Sequence, residues 1–248
     1  MSMPAAYLSE IFTSVEGEGL YAGRPATFIR FCGCNLACSY CDTEYAGRNS
    51  EAAIVHGAGA VGSGERREVT NPVTSDRLVA EIKEARAAPT IVLTGGEPLL
   101  QPSFLLDTSK QLHMLGYRLH LETNGSLADA FLEIKDVIDF VCMDIKLPST
   151  QGGKDLVREH RAFLEALAGR DAAVKIVLTD EASQAEIGDA VELVSGVNRY
   201  LPVLLQPAIL EGRPAMAGER LLVALDLARS GLYDVRLSLQ MHKVLGIR

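Results

Sequence analysis

The chain has 248 residues, of which 48% are hydrophobic, and its formal net charge is -8. That length and apolar content suffice for one α/β domain with a sizeable core, so we expect a single domain over residues 1–248. The negative charge argues against a nucleic-acid or anionic-membrane partner, since both are bound through basic faces. We find no apolar run long enough to span a membrane and no pattern typical of a secretory signal, and we therefore expect a cytoplasmic protein.

The N-terminal third is irregular except for one clear strand. Residues 1–10 carry little signal and are expected to form a frayed lead-in, and the glycines of residues 14–23 predict a loop whose backbone approaches a ligand. Residues 26–31 alternate in polarity and predict a strand that leads into a cysteine-rich loop. From residue 46 to residue 74 the chain is rich in Gly, Ala and Ser, which predicts a variable loop insertion with at most a short extended piece at 67–70. His56 in this insertion is expected at the surface.

Beyond residue 74, apolar strands alternate with amphipathic helices. The predicted strands cover residues 90–94, 117–122, 137–145, 173–178, 200–205 and 234–239, with helices predicted between them. This alternation is typical of a parallel sheet covered by helices. Six or seven strands are too few for a closed eight-stranded barrel, so the predicted fold is α/β, a partial (open) βα barrel of six to seven largely parallel strands with an N-terminal cluster-binding loop.

Four of the five cysteines lie between residues 32 and 41. Cys34, Cys38 and Cys41 have the spacing Cys-x3-Cys-x2-Cys, which lets one loop place three thiolates around an iron-sulfur cluster. Zinc remains an alternative, although a structural zinc site normally needs a second ligand pair and the remaining Cys142 is distant. Disulfides would need an oxidising compartment. We expect Cys32 to be a bystander because it lies at the end of the strand.

Polar residues follow the predicted strands. They occur as Thr94-Gly-Gly-Glu97, Glu122-Thr-Asn124, Asp144-Ile-Lys146, Gln206 and Gln240-Met-His242. Barrel and open α/β folds place their sites at the carboxyl ends of the strands, where these residues are expected to meet. Helix capping is the alternative role for such residues.

The cysteine spacing, with Tyr40 before the last cysteine, resembles the signature of the radical S-adenosylmethionine (SAM) enzymes. A set of motifs from about Ser9 to the C-terminus also resembles the 7-carboxy-7-deazaguanine synthase family. In chain order they are Phe12-Thr-Ser-Val-Glu-Gly-Glu-Gly19, Phe28-Ile-Arg-Phe31, Cys41-Asp-Thr43, Thr94-Gly-Gly-Glu-Pro98, Asp144-Ile-Lys-Leu-Pro148, Leu205-Gln-Pro207 and Leu237-Ser-Leu-Gln-Met-His-Lys243.

The resemblance implies a lyase that cleaves SAM reductively at one 4Fe-4S cluster, held by three cysteines, to give a 5'-deoxyadenosyl radical. The implied substrate is 6-carboxy-5,6,7,8-tetrahydropterin, whose ring is contracted to 7-carboxy-7-deazaguanine with loss of ammonia, a step toward queuosine. The family also uses Mg²⁺. We further expect a homodimer and an electron donor such as flavodoxin or ferredoxin.

The resemblance also implies roles for single residues. The cluster ligands would be Cys34, Cys38 and Cys41, and Thr43 would bind Mg²⁺. Positions that match cofactor contacts are Tyr40, Cys41, Asp42, Gly96, Glu97, Asp144, Ile145, Lys146, Gln206, Pro207, Ala208 and Ile209. Positions that match substrate contacts are Val15, Glu16, Gly17, Arg30, Thr94, His242 and Arg248. Arg30 would hold the substrate carboxylate, and Glu16 stands where the family usually has glutamine.

Two other functions fit parts of the pattern. A radical SAM activase that generates a glycyl radical on a partner enzyme shares the cysteine loop and Gly-Gly-Glu-Pro, but it would not need Arg30 or the tail with His242. A non-enzymatic zinc or electron-transfer protein would need neither the glycine loop nor so many polar strand ends. Arg30 itself has an ordinary alternative, since a strand arginine more often pairs with a surface acid.

Overall fold

The computed structural model describes residues 3–41, 49–57 and 66–247. Within these ranges the strands are β1 (Ala5–Ala6), β2 (Leu8–Val15), β3 (Pro25–Phe31), β4 (Ala52–His56), β5 (Arg66–Thr70), β6 (Val73–Thr74), β7 (Thr90–Gly95), β8 (Arg118–Thr123), β9 (Phe140–Ile145), β10 (Ala172–Leu178), β11 (Val203–Pro207), β12 (Ile209–Leu210), β13 (Arg213–Pro214) and β14 (Val235–Leu237). The α-helices are α1 (Ser75–Glu84), α2 (Pro102–Met114), α3 (Ala128–Ile134), α4 (Val157–Ala166), α5 (Gln184–Asn198), α6 (Gly218–Gly231) and α7 (Met241–Leu245). None of the helices in these ranges combines the length and apolarity needed to cross a bilayer.

One ten-stranded sheet organises the fold, in the order β14-β11-β10-β9-β8-β7-β3-β2-β4-β5. The seven strands from β14 to β3 all run parallel to one another, and β2 pairs antiparallel with β3. They are the seven strands predicted from the sequence. In the described part of the chain the edge strands β14 and β5 do not pair with each other, so the sheet is open. The predicted fold class is thereby confirmed.

The two faces of the parallel sheet have different surroundings. On β10, Val174, Ile176 and Leu178 belong to the large core between sheet and helices. Lys175 and Val177 on the same strand line a cavity on the other face. Because side chains alternate across a strand, each of these strands contributes both to the core and to a site.

Two expectations for the N-terminal third are wrong. Residues 5–6 and 8–10 belong to β1 and β2 rather than to a frayed lead-in, and Glu10 is buried. Within the insertion expected as a loop over residues 46–74, β4 pairs with β2, β5 pairs with β4, and β6 pairs with β1. The pairing partners of these strands come from distant sequence, which local periodicity does not reveal. His56, expected at the surface, has a side chain only 11% exposed.

Candidate active site formed by two adjoining cavities

Two cavities open at the carboxyl ends of the parallel strands. The first, of about 170 Å³, is lined by the three cysteines of the loop after β3 and by the ends of β7 to β11, and we call it the cysteine cavity. The second, of about 250 Å³, is lined by Arg30, by the loop after β2 and by the C-terminal tail, and we call it the arginine cavity. They share a wall formed by Glu18, Thr94, Gly95, Glu122, Gln240 and Lys243.

The cysteine loop turns three sulfur atoms toward one cavity. Cys34, Cys38 and Cys41 all line it, and none of the described cysteines is in a disulfide. Cys32 does not line it: this residue is 3% exposed, and its Sγ lies 3.7 Å from Ser50 Oγ. The loop therefore places Cys34, Cys38 and Cys41 at the cavity and Cys32 away from it.

Hydrogen-bond donors surround two of these sulfurs. The Sγ atom of Cys34 accepts from the backbone N–H of Leu36 at 3.5 Å and from Asn124 Nδ2 at 3.8 Å. Cys38 Sγ accepts from Gln151 Nε2 at 2.9 Å. Burial raises the pKa of the Cys34 thiol. Three cysteine sulfurs, two of which accept from N–H donors, fit an iron-sulfur cluster, because such hydrogen bonds stabilise cluster-bound thiolates.

The end of β7 lies directly against the cysteine loop. Gly96 donates its N–H to the carbonyl of Phe31 at 2.9 Å, and Glu97 donates to the carbonyl of Gly33 at 2.8 Å. A Cβ added at Gly96 would lie 1.9 Å from the Gly33 oxygen, and Gly95 has φ +111°. Only glycine allows this close approach of two backbones. The glycine pair thus fixes where the cysteines stand relative to the sheet.

Glu97 lies beneath the cysteine cavity rather than in its wall. Its Oε1 accepts from the N–H of Leu99 at 3.0 Å and from Thr123 Oγ1 at 2.9 Å, and its Oε2 accepts from the N–H of Asn124 at 2.8 Å. Burial raises the pKa of Glu97 to about 7, against the effect of these hydrogen bonds. The side chain ties the end of β7 to the end of β8.

A chain of charged side chains crosses the floor of the cysteine cavity. Lys175 Nζ lies 3.0 Å from Glu18 Oε1 and 3.2 Å from Asp144 Oδ1. Asp144 Oδ2 lies 2.8 Å from Lys146 Nζ, which donates to the Tyr40 hydroxyl at 3.1 Å. Burial alone would raise the pKa of Asp144, but the two ammonium groups outweigh it and the pKa is lowered. The cavity therefore keeps ionised groups in a buried setting by pairing them.

The C-terminal tail closes over the glycine loop that follows β2. The N–H of Met241 donates to the carbonyl of Gly17 at 2.7 Å. A Cβ on Gly17 would lie 2.0 Å from His242 Nδ1. The imidazole of His242 therefore fills the space that a side chain at position 17 would need. Gln240 Oε1 accepts from the N–H of Ile209 at 3.3 Å. These contacts bring His242 to the arginine cavity.

Acidic residues lie at the base of the arginine cavity. Thr94 Oγ1 donates to Glu122 Oε2 at 2.6 Å. The pKa of Glu122 is raised, mainly by burial, while Lys175 opposes the shift and Glu18 adds to it. Glu16 is buried, and its Oε1 lies 3.2 Å from His120 Nδ1. The side chain at the position where the family usually has glutamine therefore contacts a histidine of β8.

The structure brings most of the predicted site residues together in two groups. The cysteine cavity is lined by Cys34, Cys38, Tyr40, Cys41, Gly96, Asp144, Lys146, Gln206, Ala208 and Ile209. The arginine cavity is lined by Val15, Glu16, Gly17, Arg30, Thr94 and His242. Three predicted residues, Glu97, Ile145 and Pro207, are buried and line neither cavity. Asp42, Thr43 and Arg248 lie outside the described residues.

Several site residues were missed by the sequence analysis. Lys175 could have been found, because it is the one charged residue of the apolar strand predicted at 173–178. Glu122 and Asn124 were noted only as polar residues after a strand, and Glu18 only as part of the glycine loop. Gln151, which donates to Cys38, carries no sequence signal of its own.

Comparison with known proteins agrees with this architecture. The Radical SAM superfamily model matches residues 28–175. The 7-carboxy-7-deazaguanine synthase of Geobacter sulfurreducens is 40% identical over 99% of this chain and 99% of its own length. The synthase of Methanopyrus kandleri is 33% identical over 83% of this chain and 82% of its own. The crystal structure of QueE from Escherichia coli has the same fold, with a TM-score of 0.64 and 22% identity over 96% of this chain and 95% of that chain.

The superfamily match and the three cysteines that line one cavity define a radical SAM enzyme. Within that class, this chain belongs to the 7-carboxy-7-deazaguanine synthase family.

Proposed function

We propose that this chain contracts 6-carboxy-5,6,7,8-tetrahydropterin to 7-carboxy-7-deazaguanine, with a 4Fe-4S cluster and SAM in the cysteine cavity and the pterin in the arginine cavity. The observation that carries the proposal is the shared wall, because ligands in two cavities with a common wall would lie next to each other. The name of the relatives supports the substrate. A glycyl-radical activase or a zinc protein would not account for 40% identity to a synthase over nearly the whole chain.

The cluster would be held by Cys34, Cys38 and Cys41. When bound, the cluster and SAM supply a carbon-centred radical that abstracts hydrogen from C6 of the pterin, which is chemistry of the cofactors rather than of the protein. The chain's own contribution is to direct N–H groups of Asn124 and Gln151 at the sulfurs and to shield the site. Such donors stabilise negative charge on thiolates.

SAM would contact the remaining lining of the cysteine cavity. Its methionine part carries an ammonium and a carboxylate, and the cavity offers both Asp144 and Lys146. At Ala208 and Ile209 only backbone and packing contacts are available, because their side chains are apolar. Glu97 would act indirectly by holding Thr123 and Asn124 in place.

The arginine cavity has the groups that a carboxylated pterin requires. Arg30 would pair with the carboxylate, since its planar guanidinium donates two parallel hydrogen bonds. Glu122, whose pKa is raised mainly by burial, offers carboxyl oxygens to the same cavity. His242 and Thr94 would make further contacts, as would the terminal carboxylate at Arg248.

Magnesium binding by Thr43 rests on the family resemblance. A hydroxyl oxygen with substrate oxygens and waters is acceptable coordination for Mg²⁺. Thr43→Ser should keep the stimulation of turnover by Mg²⁺, whereas Thr43→Val, of nearly the same shape but without the oxygen, should lose it while SAM cleavage continues. An equal response to Mg²⁺ in both variants would argue against direct coordination.

The remaining proposals concern organisation. We propose one radical SAM core domain over residues 1–248, which the unbroken sheet from β14 to β5 supports. We also propose a cytoplasmic homodimer reduced by a flavodoxin or ferredoxin. Light scattering of the reconstituted protein would test the dimer.

The function is tested by anaerobic reconstitution with iron and sulfide, followed by incubation with reductant, SAM, Mg²⁺ and the carboxypterin. We expect about four irons per chain and a deazapurine product. SAM cleavage without a deazapurine would refute the proposed substrate, and zinc in place of iron would refute the radical chemistry. The same mixture without SAM serves as the control.

A further inference from the structure

Glu10 is a buried acid directly behind the arginine cavity. It lies on β2 opposite Arg30 of β3 in the antiparallel register, and it is 3% exposed. Its Oε2 lies 3.8 Å from Arg30 Nε, and its Oε1 lies 3.4 Å from His56 Nε2 on β4. Neither Glu10 nor His56 lines the cavity, whereas Arg30 does. The acid therefore contacts the arginine from the side away from the ligand space.

Arg30 is restrained on a second side by an aromatic ring. Its guanidinium carbon lies 5.0 Å from the centre of the Phe12 ring, and Phe12 stacks on Phe28 with centres 5.1 Å apart. Both rings line the arginine cavity. Within the described residues, the ion pair with Glu10 is the only one that Arg30 makes.

This arrangement determines which nitrogens of Arg30 are available. A guanidinium presents a planar fork of donors, and a carboxylate can pair either with the two terminal nitrogens or with Nε and one of them. Glu10 Oε2 lies on the Nε side at 3.8 Å, within ion-pair range but beyond hydrogen-bond distance, and the two terminal nitrogens are left for a ligand. Pairing stabilises a buried carboxylate, and both Arg30 and His56 lie within ion-pair distance of this one.

We propose that Glu10 is a positioning residue, which together with His56 holds the Arg30 guanidinium so that its terminal nitrogens face a carboxylate ligand in the arginine cavity. The proposal rests on the proposed function in taking the carboxypterin as that ligand. Its benefit is preorganisation: a long side chain already held in one geometry loses less freedom when the ligand binds. The strand β4, which lies between β2 and the edge strand β5, thereby contributes to substrate recognition.

If the ion pair between Glu10 and Arg30 had only a structural role, the expected results would differ. In that case Glu10→Gln would lower stability alone, or it would weaken the binding of all ligands equally. A positioning role affects ligands that carry the carboxylate and spares those that lack it. It also requires Arg30, so that removing Glu10 should matter little once Arg30 is gone.

The test uses Glu10→Gln in the reconstituted holoenzyme, with the dissociation constants of 6-carboxytetrahydropterin and of tetrahydropterin without the carboxylate. We expect about ten-fold weaker binding of the first and unchanged binding of the second, with normal iron content and SAM affinity. In the Arg30→Ala background, Glu10→Gln should change carboxypterin binding less than two-fold. Equal weakening of both ligands, or unchanged carboxypterin binding, would overturn the proposal.

Glu81→Gln is the matched control. Glu81 is a 1% exposed carboxylate paired with Arg67 and Arg77, and it lines neither cavity. Its substitution should lower stability without changing pterin affinity. If Glu10→Gln does not fold, Glu10→Asp keeps the charge but shortens the reach by one methylene, and its carboxypterin binding should be about three-fold weaker. Wild-type affinity in Glu10→Asp would overturn the proposal.

A second readout does not depend on the pterin. Modification of Arg30 by phenylglyoxal, followed by peptide mass spectrometry, should be several-fold faster in Glu10→Gln than in wild type or Glu81→Gln, because Glu10 no longer holds the guanidinium. An unchanged rate would overturn the positioning role. Failure of the wild type to bind carboxypterin, together with faster modification in Glu10→Gln, would refute the proposed substrate and leave the positioning role standing.

Discussion

The two cavities adjoin but are built from different parts of the chain. The cysteine cavity takes its lining mainly from the loop after β3 and from the ends of the consecutive strands β7 to β11. The arginine cavity combines β2, the loop after it, β3 and the tail with α7, which are far apart in sequence. A local motif and a repeated βα unit specify the first cavity, whereas long-range pairing specifies the second.

The two cavities also differ in how their cationic side chains are paired and exposed. In the cysteine cavity, Lys146 and Lys175 are already paired with Asp144 and Glu18. Arg30 of the arginine cavity has a side chain that is 33% exposed. The first arrangement suits a cofactor that stays the same in every radical SAM enzyme. The second presents a cation to a ligand, which is what selection of a particular substrate requires.

The largest expected effect isolates the cysteine cavity. Cys34→Ala should abolish iron binding and SAM cleavage, because a three-cysteine site that loses one ligand cannot hold the cluster. Cys32→Ala, the matched control, should leave both near normal since its thiol faces Ser50 instead of the cavity. Iron content and SAM cleavage measure the difference. Loss of iron in Cys32→Ala would mean that the ligands are assigned wrongly.

The same contrast explains how much the sequence could predict. Six of the seven parallel strands were found because they are short apolar runs that alternate with amphipathic helices, and the seventh, at residues 26–31, because its polarity alternates. The cysteine loop was found because its three sulfurs are close in sequence. Among the lining residues of the arginine cavity, His242 was expected at the site because it follows the last predicted strand, but the substrate role of Arg30 was assigned through the family resemblance. The polarity of Arg30 alone did not distinguish a site from a surface ion pair.

What the sequence could not reveal depends on tertiary contacts. The strands β4 and β5 exist because β2 offers a partner edge, and nothing in residues 46–74 signals that edge. The close approach of Gly96 to Gly33 is visible only once β3 and β7 are paired. Glu97 was expected to contact the cofactor, but in the structure its carboxylate accepts hydrogen bonds from three donors of neighbouring segments.

The next effect falls on the floor of the cysteine cavity, beside Glu18 of the shared wall. Lys175→Met removes an ammonium that faces Glu18 and Asp144, and leaves without it two largely buried carboxylates whose side chains are 18% and 16% exposed. Breaking a buried pair in this way costs on the order of 3 to 5 kcal/mol. We expect a lower free energy of unfolding at pH 7 and weaker binding of both SAM and pterin. Urea unfolding and two binding titrations measure this.

Ile176→Val is the matched control for Lys175→Met. Ile176 is the next residue of β10 but faces the helix-side core, where it is fully buried. The loss of one methyl group should cost about 0.5 to 1.5 kcal/mol of stability and leave both affinities unchanged. If Lys175→Met, like Ile176→Val, lowered stability without weakening the binding of SAM or pterin, the chain of charged side chains would serve only the fold.

A pH effect is expected beneath the cysteine cavity. Burial lowers the pKa of His160 from 6.5 to about 4, and its Nε2 lies 3.2 Å from the carbonyl oxygen of Asn124. The unfolded chain takes up this proton near pH 6.5, so the neutral imidazole contributes stability that is complete above that pH and lost as the pH falls toward 4. The whole loss is on the order of 3 kcal/mol.

The variant His160→Gln does not titrate and can still donate to the carbonyl of Asn124. Urea unfolding of the holoenzyme at pH 7 and pH 5.5 should therefore show wild type losing about 1 kcal/mol relative to the variant. An identical pH dependence in the two proteins would mean that His160 is not the group responsible.

The last expected effect isolates the arginine cavity. Arg30→Ala removes the positive charge that this acidic protein supplies to a carboxylated ligand. A charge-assisted pair is worth about 1.5 to 3 kcal/mol, which corresponds to roughly ten- to a hundred-fold in affinity. Arg30→Lys keeps the charge without the planar fork, and its affinity should lie between the two. Both variants should keep the cluster, normal melting and unchanged SAM binding. The deciding measurement is the dissociation constant of the carboxypterin, and an unchanged value in Arg30→Ala would reduce Arg30 to an ion pair with Glu10 that serves the fold alone.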